Sequence, residues 1–532
     1  MFSIKMFKKH LTTIVLFFIS FLSLTLFLYK LTSSPPCLNA DEATNAYDAY
    51  SILKTGRDQY GNFLPLRFKS FGDYKLPLLT YLAIPFIKIF GLNELGIRMV
   101  NLPFVFLFPI VVFLLTRQLF GKNSFSVIAA FLTAFAPGLQ LIGRQAHEGY
   151  MTAFFLTLAF YLFLRFFKKQ NFLNYLLFTI CYLLFLFGYH SSRLWGGFFI
   201  LLFIYFIVKN KLKWFYILGL IAALILFSFT DLFNSQTRIK NLLFFNNIGF
   251  TLKINELRAE GGSRFFYNKL TVGAKEVISQ YLNYFSPQFL VNNGDENYRF
   301  GFPGVSPITP IEYIFLFIGL YYLFKNKEKW RYLILLMLLF SPITGALSWA
   351  GLSITRTVFI FIPIVIITSY GLINFTKNRQ LLFLLFVICY LLFLFYSWDF
   401  YLNHYPKRAI VLRSWQAGYK ELVSYIKKNY SQFDRFYITR KNGQPYIFLL
   451  FYLAYPPEKY QKIAKLTPPD EYGFGQVTHF DKFYFNFIFD PKLKKTVFVG
   501  YPEDFKDLTV KLDKIKKIKI ATEEIFWIYE IN

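Results

Sequence analysis

The sequence predicts a polytopic α-helical membrane protein with a smaller α/β domain at its carboxyl end. Three observations carry that prediction. The chain is 55% hydrophobic and 22% aromatic, with 71 Phe among 532 residues, and its mean hydropathy is +0.40. A soluble core cannot bury so much apolar surface. Apolar runs of span length recur between residues 11 and 398, separated by short basic connections. From about residue 404 the chain turns polar, and short apolar runs alternate with helical stretches, the pattern of a small α/β fold. The net charge of +28 would suit a nucleic acid, yet most Lys and Arg of the first 380 residues lie between apolar segments. Membrane topology accounts for that placement, and no nucleic-acid partner is expected. Cys37, Cys181 and Cys389 are the three cysteines, too few and too scattered for a disulfide framework or a thiolate metal site.

Lys5, Lys8 and Lys9 precede the apolar run 11–29. The run is long for a signal peptide, and Ser33-Ser34-Pro35-Pro36 is a poor cleavage site, so it reads as a retained span with a cytoplasmic amino end. Within 30–76, Ala43, Ala46, Tyr47, Tyr50 and Leu53 recur at helical spacing and Gly56 supplies a stop, which predicts a short amphipathic helix on the membrane surface. The apolar stretch 76–91 carries Pro77, Pro85 and Lys88 and is short for a span, since ~20 residues are needed. Counted as surface-lying, it leaves further spans at 95–116, 125–142, 149–164, 172–189, 194–208, 214–231, 311–324, 331–348, 357–375 and 380–398. The basic connections at 117–122, 165–169, 209–213, 325–331 and 377–379 then all fall on the amino-terminal side, as the positive-inside rule asks. The expectation is about 11 spans in a plasma (inner) membrane, with the tail exterior. The membrane module is 1–403, with exterior loops 30–94 and 232–310, and the exterior α/β domain is 404–532. In the tail, Ser414 to Tyr430 reads as a helix, and 435–439, 483–489, 496–500 and 525–531 read as short apolar runs.

Asp41 and Glu42 are the first residues that can carry chemistry. Acids suit the first turn of a helix, and Asn39 with Glu42 three residues on resembles a capping pair. A carboxylate at the membrane surface can equally act as general base toward an acceptor hydroxyl. Adjacent acids point differently on a helix, so one can catalyse while the other caps. Basic residues gather on the same predicted face: Arg144 and His147 in one turn with Glu148, His190 and Arg193 in another, Arg356 at a third, and Lys75 at the end of the first loop. Singly, such groups cap helices or meet lipid headgroups; together, on the face poor in cations, they suit a phosphate. Asp73, Asp295 and Glu296 are conceivable metal ligands without diagnostic spacing, and Asp231 ends a span as an interfacial residue would. Tyr47, Tyr50, Tyr74 and Tyr189 suit either sugar stacking or the interfacial aromatic belt.

Asp41-Glu42 behind the first span, a surface helix, Gly72-Asp-Tyr-Lys75-Leu-Pro77, Arg98 and then many spans resemble the GT-C glycosyltransferases. The branch is family 39, which holds the protein O-mannosyltransferases and, more distantly, the lipid A aminoarabinose transferases. The resemblance covers roughly 10–400 and is best over 41–100; the tail resembles exterior domains of bacterial members. It implies an inverting transferase with a polyprenyl-phosphate-linked sugar donor, a glycan, lipid or protein acceptor, and the bilayer as its setting. By motif, Asp41 would be the general base with Glu42 its neighbour, Lys75 would lie near the donor phosphate, and Glu148 would fall near a position often acidic in relatives. No cofactor is expected and no metal site is assigned, although the residues leave a divalent cation open. The long loop lacks an MIR-type insertion, unlike the eukaryotic mannosyltransferases. Two other readings compete. A metal-dependent oligosaccharyltransferase-like enzyme would need acids from both exterior loops around Mg²⁺ or Mn²⁺. A transporter or flippase of lipid-linked sugars would need charges within spans and repeated halves; the spans are nearly free of internal charge and no repeat is visible.

Overall fold

In a computed structural model the described residues are 2–71, 73–211, 213–232, 244–261, 263–301, 303–349, 351–468, 475–508, 510 and 512–532. Residues 233–243 of the long loop, Gly72, Gly262 and Phe302 lie outside them, as do the side chains of Asp73 and Asp231. The chain divides into two compact units. One is Met1–Tyr29 with Asn101–Ser235 and Ile239–Tyr401, and it holds most of the apolar helices. The other joins Lys30–Val100 to Leu402–Asn532.

This is a multi-pass membrane protein. Among the described residues, six helices are long and apolar enough to cross a bilayer: His10–Leu28, Glu94–Phe120, Glu148–Lys168, Ser192–Asn210, Val358–Phe375 and Gln380–Lys407. Six of the predicted spans lie on these helices. The predicted span 125–142 is a pair, Asn123–Phe135 and Pro137–Gly143, bent by 55°, because Pro137 cannot continue the first helix's hydrogen bonding. The predicted spans 172–189, 214–231 and 331–348 are shorter apolar helices, Phe172–Leu186, Phe215–Thr230 and Arg331–Ala346, and 311–324 is the helix Pro310–Lys325. Large side chains such as Phe17, Phe21, Leu381, Leu392 and Phe395 are more than half exposed, as lipid-facing positions must be when no water meets them. Pro310–Lys325 packs backbone to backbone on Phe361–Phe375: a Cβ on Gly371 would stand 2.6 Å from the Gly319 nitrogen, the close approach that small residues permit between membrane helices. The described residues of the predicted long loop 232–310 include the helices Ile248–Ala259 and Lys269–Asn283 and a π-helical turn Gln288–Asn293.

The second unit departs from the predicted boundary. Residues 30–100 group with the tail, although 30–94 are expected as an exterior loop of the membrane module and 95–100 as the start of a span. Its first sheet is a hairpin, β1 (Phe68–Ser70) antiparallel to β2 (Asp73–Lys75), with Phe68 opposite Lys75. The tail carries β3 (Arg435–Ile438), β4 (His479–Phe480), β5 (Phe483–Tyr484), β6 (Thr496–Gly500), β7 (Lys516–Ile520) and β8 (Glu523–Ile531). Their order is β4-β5-β3-β6-β8-β7. β3 runs parallel to β5 and β6, while β4–β5, β6–β8 and β7–β8 are antiparallel. Every residue of β6 is buried, as in a central strand covered on both faces. The helix predicted over 414–430 is two, Ala409–Ser414 and Tyr419–Asn429. Gln416 at φ 57° and Gly418 at φ 100° break it, a conformation that ends right-handed helices.

Long-range hydrogen bonds explain why loop and tail fold together. Tyr47 Oη donates to the Tyr455 carbonyl at 2.8 Å. Gln461 Nε2 reaches Ser51 Oγ, Thr55 Oγ1 and the Asp58 carbonyl at 3.0–3.1 Å. Tyr452 Oη meets Glu94 Oε1 at 3.1 Å. Ala43, Ala46, Tyr47 and Ala49 are fully buried, so the Ala40–Thr55 helix is an interior element of this unit. Its sequence is weakly amphipathic, and nothing local marks that burial.

Candidate functional site

The Ala40–Thr55 helix starts on a capping box. Asn39 Oδ1 accepts from the amides of Asp41 and Glu42 at 2.9 and 3.0 Å, and Glu42 Oε2 accepts from the Asn39 amide at 3.3 Å. The remaining amide, Ala40 N–H, donates to Gln416 Oε1 at 3.0 Å. Gln416 Nε2 in turn donates to the Asn442 carbonyl at 2.6 Å. The amides that a helix start leaves unpaired therefore all have partners here, one of them from the tail.

Glu42 is 1% exposed and Arg98 is fully buried. Arg98 Nε and Nη2 donate to Glu42 Oε1 and Oε2 at 3.2 and 3.3 Å. Its remaining donors reach the carbonyls of Leu31 at 2.8 Å, Pro35 at 3.2 Å and Cys37. This pair ties residues 31–42 into one structure. Glu42, expected among the catalytic acids, is enclosed by its cap and its arginine. Asp41 differs. Its side chain is 44% exposed, and Oδ1 stands 3.1 Å from Lys75 Nζ. Lys75 also donates to the Asp41 carbonyl at 3.1 Å, and the β1–β2 hairpin delivers it there. Asp48, two turns along, is buried and accepts from the Gln59 amide and Nε2 at 3.0 and 3.1 Å. Burial, with nearby Asp58 adding, pushes its pKa well above the usual carboxylate range. Asp48 therefore has no access to act as a base.

The other candidates lie in the membrane unit. Arg144 is fully buried and donates to the carbonyls of Leu26, Phe27 and Tyr29 at 2.6–2.8 Å. It thereby caps the end of the first membrane helix. His147 caps Glu148–Lys168, its Nδ1 accepting from the Gly149 amide at 3.0 Å. That bond leaves a neutral ring's proton on Nε2, which stands 4.0 Å from Glu148 Oε2. The ring packs on Tyr189 and Phe300 at 5.4 and 5.1 Å. Arg193 Nη2 pairs with His190 Nδ1 at 3.2 Å, and its guanidinium lies over Phe227. The turns at 144–148 and 189–193 therefore meet, through His147 and Tyr189. Arg356 Nη1 is buried with no hydrogen-bond partner among the described residues, an arrangement able to receive an anion. Its charge also acts on Asp295. That carboxylate accepts from the amides of Asn297 and Ile354 at 2.8 and 2.7 Å and is pushed up to about 6 by burial. It fastens two loop segments. Among the described residues no group of three His, Cys, Asp or Glu is placed to hold a metal ion.

Sequence reasoning did not find Gln416, whose only signals are its left-handed backbone and a partner 376 residues away. Arg98 was visible as a motif residue, but its burial against Glu42 was not.

Residues 75–230 match the family described as dolichyl-phosphate-mannose-protein mannosyltransferase. No curated protein matches the sequence. ArnT from Cupriavidus metallidurans is similar in structure in its apo state, with TM-score 0.56 at 11% identity over 96% of this chain and 97% of that one. Its complex with undecaprenyl phosphate gives TM-score 0.55 at 10% identity, with the same coverage. The oligosaccharyltransferase AglB from Archaeoglobus fulgidus aligns at TM-score 0.47 and 15% identity over 84% of this chain, which spans only 64% of that longer protein. The fold assignment rests on ArnT: the chain has the GT-C membrane fold, and over residues 75–230 it is similar to the protein mannosyltransferases.

Proposed function

We propose that the chain is a membrane glycosyltransferase that moves a sugar from a polyprenyl-phosphate donor to an acceptor hydroxyl with inversion, Asp41 acting as general base. One observation carries the reading: in a GT-C fold, Asp41 is the acid at a fully capped helix start that stays half exposed, 3.1 Å from the ammonium of Lys75. The acceptor oxygen attacks the anomeric carbon as its proton passes to Asp41. The bond from that carbon to the phosphate oxygen breaks, and the lipid phosphate leaves as an anion. Being already charged, it needs no strong general acid. Lys75 is proposed to offset that charge. A solved ArnT structure is bound to undecaprenyl phosphate, which supports a lipid phosphate as the ligand class. His190, Arg193 and Arg356 are separate phosphate-binding candidates, each to be tested by its own substitution. The acceptor class is a glycan, lipid or protein hydroxyl. The basic connections favour a plasma membrane setting with the amino terminus cytoplasmic and the tail exterior.

The test is transfer of labelled sugar from polyprenyl phosphate in proteoliposomes holding the full chain. Asp41→Asn should lower the rate by about 10²–10⁴ with folding unchanged. Full activity in that variant would remove Asp41 as the base.

A further inference from the structure

The Lys269–Asn283 helix carries its apolar residues on two sides. Val272, Gly273 and Val277 face the cluster of Phe250, Ile254 and Trp349. A Cβ on Gly273 would stand 2.5 Å from the Phe245 ring, so that side is closely packed. Leu270, Ala274, Ile278 and Leu282 are exposed, the three large ones at 74%, 58% and 60%. Spacing of four puts them in one row on the helix, about 18 Å long at 1.5 Å per residue.

The chain just ahead adds to that surface. Phe265 and Phe266 are 75% and 64% exposed, and they are fixed in place. Asn268 Nδ2 donates to the carbonyls of Arg264 and Phe265 at 3.2 and 2.8 Å. The Thr271 hydroxyl donates to the Phe266 carbonyl. Two phenyl groups pinned outward, next to an apolar row, make a surface that water does not favour.

Its neighbours identify the occupant. Tyr281 Oη donates at 2.8 Å to the carbonyl of Leu339, on the apolar helix Arg331–Phe340, whose Leu336 and Leu339 are themselves exposed. Tyr313 Oη donates at 2.9 Å to the Phe285 carbonyl, and beyond it Ile314 and Phe317 are exposed on Pro310–Lys325. The row therefore runs on into the lipid-facing surface of two membrane helices. Arg258, Arg264, Lys269 and Lys275 are all exposed around it, where lipid phosphates would meet them.

We propose that the Lys269–Asn283 helix lies flat in one interface of the bilayer. The face formed by Leu270, Ala274, Ile278 and Leu282 meets the acyl chains, Phe265 and Phe266 insert beside it, and the exposed cations sit among the phosphates. The segment 248–283 is then a membrane-docked hairpin.

The test uses the full chain in nanodiscs of phosphatidylethanolamine and phosphatidylglycerol, with Cys37, Cys181 and Cys389 changed to Ala. Single nitroxide labels go on cysteines placed at 270, 274, 278 and 282, and, on the other side of the helix, at 276, 279 and 283. The first four should collide several-fold more with oxygen than with a nickel chelate, at one common depth, and the last three should show the reverse. A chelate that reaches all seven would overturn the proposal. So would depth that increases steadily from 270 to 282, which means an upright helix, or protection from both reagents, which means a protein partner or a second copy. A second measurement needs no cysteine change: a phospholipid with a photoreactive acyl chain should label the peptide 264–282 of the unaltered chain. Labelling confined to the long membrane helices would count against it.

Discussion

Two helices of this chain begin at a candidate acid, and they treat it differently. At Ala40–Thr55 the tasks are divided. Asn39 and Glu42 close the cap, Arg98 holds Glu42, Gln416 takes the Ala40 amide, and Asp41 is left half exposed beside Lys75. At Glu148–Lys168 the cap is His147 itself, and Glu148 is only 13% exposed beside it. The first arrangement closes the cap with neighbours and leaves the Asp41 carboxylate 44% exposed against Lys75. The second keeps acid and cap within one packed patch of rings. Position at a helix start therefore says little about chemistry; the partners that relieve an acid of structural work say more.

The strongest way to break this comparison is to neutralise each acid in turn. Asp41→Asn should carry the large loss already described, and Glu148→Gln about tenfold or less, since an enclosed acid supplies at most a local electrostatic effect. Equal losses in sugar transfer would show that the two starts are not distinct. Next in size is Arg98→Met. It leaves Glu42 buried without its cation, a cost of about 3–5 kcal/mol, so folded yield in detergent should fall sharply. Adding Glu42→Gln should restore part of that yield, and no restoration would mean that the carbonyl bonds of Arg98 matter more than its ion pair.

Asp295 sharpens the comparison from the side of acids that serve structure. Its folded pKa of about 6 lies above the unfolded value, so the folded form binds more protons between about pH 4 and pH 6. Stability should then fall as pH rises through that window, by about 3 kcal/mol in total. Asp295→Asn should remove this slope, and thermal unfolding of both proteins across the window reads it. The smallest effect belongs to Gln416→Ala, about 1 kcal/mol for one lost bond to a helix-start amide. Its signature should be a lower kcat at unchanged KM, because the bond orients Asp41 and touches no substrate. Unchanged kinetics would make Gln416 structural only.

Much of this was legible in the sequence. The runs read at 435–439, 483–489, 496–500 and 525–531 each hold a strand, since apolar runs between polar turns are a local signal. β7 was missed because Lys516, Lys517 and Lys519 make it look like a charge run. The helices of 248–283 were missed because their polar residues hide the periodicity. The capping box at Asn39 was legible because its residues are three apart. The three carbonyl bonds of Arg144 were not legible, because a basic residue in a turn looks the same in sequence whatever it meets, and only tertiary packing shows its partners. The contacts that unite residues 30–100 with the tail join positions hundreds of residues apart, beyond the reach of any local pattern.

The bond between Ala40 and Gln416 also bears on how the protein is made. The helix bearing Asp41 leaves the ribosome early, but its last amide must wait for a partner 376 residues later, about 20–75 s at ordinary translation rates. All of the membrane unit's helices but the first are made in that interval. A chain released before residue 416 would contain the acid without its finished mount.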